Sequence, residues 1–148
     1  MMDARAHLPA KSNVVAVEEV PMDRVHMYGV VGVGDARGEA FAITRMVEKP
    51  PRSEAPSNLI ITGRYILQPE IFDILADQTR GAGGEIQLTD AMIRLAEKQP
   101  FYGLKFQGRS FDCGSKVGFL AANVAYALER PDIAPAVREE IKRLLGDS

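Results

Sequence analysis

"NVVAVEEV", residues 13–20, is a β-branched apolar run that stops at Pro21. Its length suits a strand, and its valines do not alternate with polar residues, so it reads as a strand buried on both faces. Such a strand requires a neighbour along each edge, and the rest of the chain must supply them. "YGVVGVGDARGEAFAITRMVEKP" (28–50) reads as two strands around a turn between Gly34 and Gly38, with Phe41, Ile43 and Val47 on one face. "NLIITGRYIL" (58–67) is a further strand. "PEIFDILADQ" (69–78) predicts a helix that starts at Pro69 and carries Ile71, Ile74 and Leu75 as its apolar stripe.

Beyond the flexible "GAGG" connector (81–84), Leu88, Met92 and Leu95 recur at helical spacing. "FYGLKFQGRSFDCG" (101–114) predicts a hairpin around Gln107-Gly108. Ser115 is placed to cap a helix with Val117, Ala121, Val124 and Leu128 on one face. Pro131 stops it, and a last amphipathic helix carries Val137, Ile141, Leu144 and Leu145. Strands and helices alternate, so the expected class is α/β, a mixed sheet with flanking helices. Few segments are left to flank the first strand. The expectation is a partial domain with one sheet edge and some apolar helix faces uncovered.

Function classes narrow quickly. The 148 residues are one domain's worth of chain. A net charge of −2 gives no electrostatic case for nucleic acid or an anionic membrane. No apolar run approaches the ~20 residues of a bilayer crossing, and no cleavable leader pattern opens the chain. Cys113 is the single cysteine, which excludes an internal disulfide framework and cysteine-based zinc sites. The expected location is the cytoplasm.

"GVGDARG" (32–38) has G-x-G spacing, but a dinucleotide loop must open a helix and a strand pattern follows instead. It reads as a hairpin turn. His7 and His26 read as solvated loop residues, and no metal-ligand spacing surrounds them. Ser57 and Ser115 lack the context of a nucleophile. "RMVEKPP" (45–51) is more informative. In a strand Glu48 and Lys49 point to opposite faces, and Pro50-Pro51 must end the ladder. A carboxylate at a strand end can accept two sugar hydroxyls, and a lysine aimed elsewhere can hold a phosphate. From the residues alone two readings stay open, a solvated strand end and a site for a polar anionic ligand. Asp112 in "FDCG", at the end of the predicted second hairpin strand, and the turn glycines Gly29, Gly63 and Gly114 complete the candidates.

"NVVAVEEVP", "YGVV", "VEKPPRSEAPSNLIITGRYIL", "GAGGEIQLTDA" and "FDCGSKVGFLAANVAYAL" together resemble the bacterial UTP–glucose-1-phosphate uridylyltransferases, in order and spacing over roughly residues 13–130. The resemblance implies a Rossmann-like nucleotidyltransferase domain that makes UDP-glucose and pyrophosphate from UTP and glucose 1-phosphate, with Mg2+, usually as dimers or tetramers. It implies that Gly29 meets a sugar hydroxyl through its backbone and that Glu48 holds sugar hydroxyls. Lys49 would meet the adjoining phosphate, Gly63 would line the sugar pocket, and Asp112 would stand where related enzymes place a metal-binding aspartate. A thymidylyltransferase-like specificity is the neighbouring alternative, and a non-catalytic sugar-phosphate-binding or assembly module is the alternative from another class.

One departure is large. Family members open with a glycine-rich loop similar to G-x-G-T-R, followed by a lysine and later a magnesium-binding aspartate, and these motifs do not occur in this sequence. The resemblance therefore places residues 1–148 as the sugar-phosphate half of the domain, without the N-terminal nucleotide-binding half. It also implies that this chain alone releases no pyrophosphate from UTP.

Overall fold

In the computed structural model, residues 5–77 and 86–146 are described. Val14, Val15, Ala16 and Val17 of β1 (Asn13–Glu19) are buried, as their unbroken apolar run requires. Both edges of β1 are occupied. On one side it pairs antiparallel with β4 (Leu59–Ile66), and on the other parallel with β5 (Phe101–Lys105). β2 (Gly29–Arg37) and β3 (Ala40–Glu48) form the antiparallel hairpin expected from "GVGDARG". Its turn falls at Gly38-Glu39, where Gly38 takes the left-handed φ of +63° that glycine adopts without strain.

Among the described residues the expected open edge is not found. β5 also pairs with β3, and β2 meets β4 through Val30 and Ile60, so the strands close in a ring in the order β1-β4-β2-β3-β5. The reason is the placement of β5. Instead of folding back on a partner beyond Gln107-Gly108, it inserts between β1 and β3, and residues 106–115 form no strand. Ser57 helps the closure at the other seam. Its hydroxyl donates to Val31 O at 2.7 Å and accepts the Leu59 N–H at 2.9 Å.

Inside the ring's helical cover, α1 (Glu70–Ala76) contributes Ile71, and α2 (Leu88–Ala96) contributes Ala91, Met92 and Leu95. They form one buried cluster with Val15, Val17, Val31, Met46 and Phe101. Each full burial of such a side chain stabilises by roughly 1.5–3 kcal/mol relative to exposure. Leu88, Ile74 and Leu75 pack against this cluster, in line with the helical spacing. β3 departs from simple alternation. Gly32 pairs with Arg45 but Val33 pairs with Ile43, leaving Thr44 as an extra residue, so Met46 rather than Val47 takes the next core position after Phe41 and Ile43.

Asn13 is the buried polar residue that ties β1 into this layer. Its Nδ2 donates to Gln99 Oε1 at 3.1 Å and its Oδ1 accepts the Gln68 N–H at 2.8 Å. The satisfied amide avoids the desolvation cost of an orphaned polar group.

The described residues up to 107 and those from 108 onward form two compact units. In the second, Ser115 caps α3 (Lys116–Glu129) as expected, its Oγ accepting the Gly118 N–H at 3.0 Å. α4 (Ala134–Leu145) follows, with Pro135 in its first turn. The buried residues of the two helices are Ala122 and Ala134, whereas Val117 and Val124 of the shared apolar face are exposed, one of the uncovered helix faces expected from the sequence. The "GAGG" connector lies outside the described residues. Among those described, no helix is long and apolar enough to cross a membrane.

Candidate functional site

The site is built where β2 begins and β3 ends. Gly29 and Glu48 are direct cross-strand partners. A Cβ on Gly29 would lie 3.0 Å from Glu48 Oε2, 3.2 Å from Ile61 Cδ1 and 3.6 Å from Thr89 Cγ2. The missing side chain at Gly29 is thus the space over which the Glu48 carboxylate lies, half-buried between β4 and the start of α2.

Lys49 is not the next residue of a strand. β3 ends at Glu48, and Lys49 turns to a left-handed φ of +47°. Its N–H donates to Tyr28 O at 3.0 Å, and Pro50 behind it is almost wholly buried. A residue before proline ordinarily stays extended, and a left-handed non-glycine residue costs on the order of 1–3 kcal/mol. Glu48 and Lys49 therefore diverge because the backbone turns between them, not through strand alternation. The strain is held by the Tyr28 carbonyl and the seat of Pro50.

Both residues line one cavity of about 510 Å3, together with Met46, Val47, Gln87, Asp90 and Ile93. Its size falls in the range of small-ligand sites, roughly 300–1,000 Å3. Of the two charged residues, Glu48 is half-buried and Lys49 is exposed. Nearby, burial and, secondarily, the charge of Glu48 push the Tyr65 phenol above its ordinary pKa.

The other candidates are placed elsewhere. Gly63 sits at an irregularity of the β1–β4 pairing with φ +74°, exposed, two residues along β4 from both Ile61 and Tyr65. It is not among the residues lining the cavity. Asp112 belongs to the second unit and lies in a turn, not at a strand end. Its Oδ1 accepts the Gly114 N–H at 3.0 Å, and its carbonyl accepts from the Ser115 N–H and hydroxyl. Among the described residues no three His, Cys, Asp or Glu side chains come together as a metal site. His7 and His26 are exposed, as expected, although His26 lies in a single 3-10 turn (Val25–Met27) and not in a loop.

Sequence reasoning passed over Tyr65, Thr89, Gln87 and Asp90. The last two had a signal: Gln87, Asp90 and Ile93 recur at three-residue intervals on the side of α2 away from its Leu88–Met92–Leu95 stripe.

Comparison with known proteins places the chain. The family model described as nucleotidyl transferase matches residues 1–129, most of the chain and the whole of the strand ring. The chain belongs to the nucleotidyl transferase family. Within that family it is 45% identical over 132 residues to a UTP–glucose-1-phosphate uridylyltransferase of Staphylococcus epidermidis, covering 89% of this chain and 46% of the relative. It is 41% identical over 122 residues to the Bacillus subtilis enzyme of the same name, covering 82% and 42%. The fold matches a UDP-glucose pyrophosphorylase complexed with UDP-glucose at a TM-score of 0.77 and 39% identity, over 85% of this chain and 48% of that one. A UTP-bound enzyme from Acinetobacter baumannii matches at 0.76 and 38%, over 89% and 45%. This nucleotidyl transferase chain thus spans about half the length of the curated relatives it matches.

Proposed function

We propose that this chain is the sugar-phosphate half of a uridylyltransferase that joins UTP and glucose 1-phosphate into UDP-glucose and pyrophosphate. The observation that carries the reading is Glu48 lying over Gly29 in a cavity that Lys49 also lines. Glu48 accepts hydroxyl hydrogen bonds from the hexose, and Lys49 meets the 1-phosphate as a point charge. In the transfer, a phosphate oxygen of the sugar attacks the α-phosphorus of UTP and pyrophosphate leaves. The contribution of these residues is to hold the attacking oxygen in place, which is the larger part of catalysis in phosphoryl chemistry. Magnesium is expected with the triphosphate. Asp112 would supply one carboxylate toward it, but the described residues do not assemble a full set of ligands, so no step is assigned to the ion. A cytoplasmic location and assembly as dimers or tetramers belong to the same proposal, whereas Gly63, which does not line the cavity, is left out of it. Assembly is read by sizing the purified protein.

The test is calorimetric or NMR titration of the chain with glucose 1-phosphate. Glu48→Ala should lose one or two charge-assisted hydrogen bonds, about 1.5–3 kcal/mol each, or roughly ten- to a hundredfold in affinity per bond. Unchanged affinity would remove Glu48 from the site. A solvated strand end predicts that outcome, with effects within ~0.5 kcal/mol.

A further inference from the structure

Asp90 is the half-buried carboxylate that a solvated helix face does not explain. α2 is fixed by Ala91, Met92 and Leu95, which are essentially free of water contact, and by Leu88 and Ile93 packed against the same cluster. Asp90 lies off that stripe, where a helix residue ordinarily faces solvent. Here it is half-buried and lines the cavity with the N-cap residue Gln87 and Ile93 of its own helix and Met46, Val47, Glu48 and Lys49 from β3 and its end. Thr89, its neighbour in the same turn, comes within van der Waals reach of the space over Gly29. The first turn of α2 is therefore seated on the Gly29–Glu48 pair.

The charge balance of the cavity has a chemical meaning. Two carboxylates and one ammonium line it. A bare phosphate would gain one cation and face two like charges, so anion binding alone does not suit the wall. A ligand with hydroxyl donors beside an anionic end suits it well, since ionised carboxylates accept several donors and make the stronger class of hydrogen bond.

We propose that Asp90 is a second hydroxyl acceptor for the sugar, approaching the ring from α2 while Glu48 approaches from β3, and that this pair selects a fully hydroxylated hexose phosphate over deoxy analogues. The inference rests on the sugar-phosphate reading above and adds a specificity-determining residue to it. A site that hydrogen-bonds a hydroxyl rejects the analogue lacking it, because the buried acceptor is left unpaired.

The experiment titrates the chain, Asp90→Asn, Asp90→Ala and Glu48→Ala with glucose 1-phosphate and with its 2-, 3-, 4- and 6-deoxy analogues. The unmodified chain should bind at least one deoxy analogue roughly tenfold or more weakly. Asp90→Ala should bind that analogue and the parent sugar alike, and Glu48→Ala should lose discrimination at a different hydroxyl. Asp90→Asn keeps the side-chain volume and should lie between, which preserves the test should the alanine variant unfold. If Glu48→Ala weakens binding while both Asp90 variants keep the full deoxy discrimination, the role of Asp90 is overturned and the sugar-phosphate reading stands. If glucose 1-phosphate does not bind the unmodified chain, or binds all four proteins equally, the sugar-phosphate reading falls and the inference falls with it.

Discussion

The strand ring and the helical unit after Gln107 bury their apolar residues very differently. In the ring, Val14, Val15, Val17, Val30 and Val31 are fully buried, and Met92 and Leu95 of α2 join them. In α3 and α4 the buried residues are alanines, Ala122 and Ala134, while Val117 is 79% and Leu145 78% exposed. Both regions have apolar residues in plenty. The difference lies in what surrounds them, because a closed ring offers each strand a partner on both edges and helices above. The helical unit keeps its shape largely through local chemistry: the Ser115 cap, the Arg130–Asp132 pair, and exposed ion pairs such as Lys142–Glu139. Exposed pairs of this kind are screened by water and stabilise little.

The sharpest way to break the comparison is to truncate one side chain in each region. Met92→Ala should cost about 2–5 kcal/mol in urea or thermal unfolding, because the ring cluster around it cannot fully collapse onto the void. Leu144→Ala, at a largely exposed position, should stay within ~0.5 kcal/mol. Equal costs would show that α4 is buried in solution and that the contrast is false.

A middle-sized effect is expected at Gly118. Gly→Ala within a helix ordinarily stabilises by about 1 kcal/mol. Here, however, the added Cβ would lie 2.0 Å from the Asp112 carbonyl oxygen, a backbone atom in the turn that the Ser115 cap completes. Losing that cap costs about 0.5–2 kcal/mol, and the displaced turn adds to it, so the net sign should be destabilising. Amide exchange should rise in the first turn of α3 while the amides of β1 stay protected. A gain in stability would show that the Asp112 turn yields freely.

The smallest effect sharpens the ring's side of the comparison. The Tyr65 phenol is raised by burial first and by Glu48 second. A raised folded-state value means that its contribution is fully present below about pH 10, the unfolded value, and is lost as pH climbs through the folded value. Stability should therefore fall in alkaline solution above about pH 10, and less steeply in Tyr65→Phe. Phenolate absorbance during the titration reads the same group directly. An ordinary Tyr65 midpoint, unmoved by Glu48→Gln, would place the two side chains apart.

Most of the ring was legible because local chemistry and tertiary structure agree there. Val14–Val17 could be nothing but a buried strand, and Leu88, Met92 and Leu95 could share only a helix face. The places that were not legible share a cause: the decisive partner is distant in sequence. Nothing within 101–114 says that Phe101–Lys105 will choose β1 and β3 over a strand beyond Gly108. Thr44 becomes an extra residue only because β2 fixes the register opposite it. Lys49 precedes a proline and so reads as extended; its left-handed turn comes from Tyr28 and the seat of Pro50. At the site, Glu48 and Lys49 were visible as a charged pair at a strand end. Asp90 carried only its three-residue spacing with Gln87 and Ile93, and a carboxylate in the first turn of a helix is ordinary until β3 is laid beside it.

The insertion of β5 also sets the order in which the molecule can be made. β1 is synthesised well before its parallel neighbour Phe101–Lys105, which follows some 88 positions later, with Asn13 pairing Phe101. Until that segment leaves the ribosome, β1 and β3 each present an unpaired backbone edge. The parallel seam then forms at high sequence separation, after the loop-closure entropy has been spent, which places folding in the slower, millisecond-to-second regime of non-local topologies. The last strand of the ring to emerge is the one that seals two others, and the nascent chain is most prone to stray pairing just before it arrives.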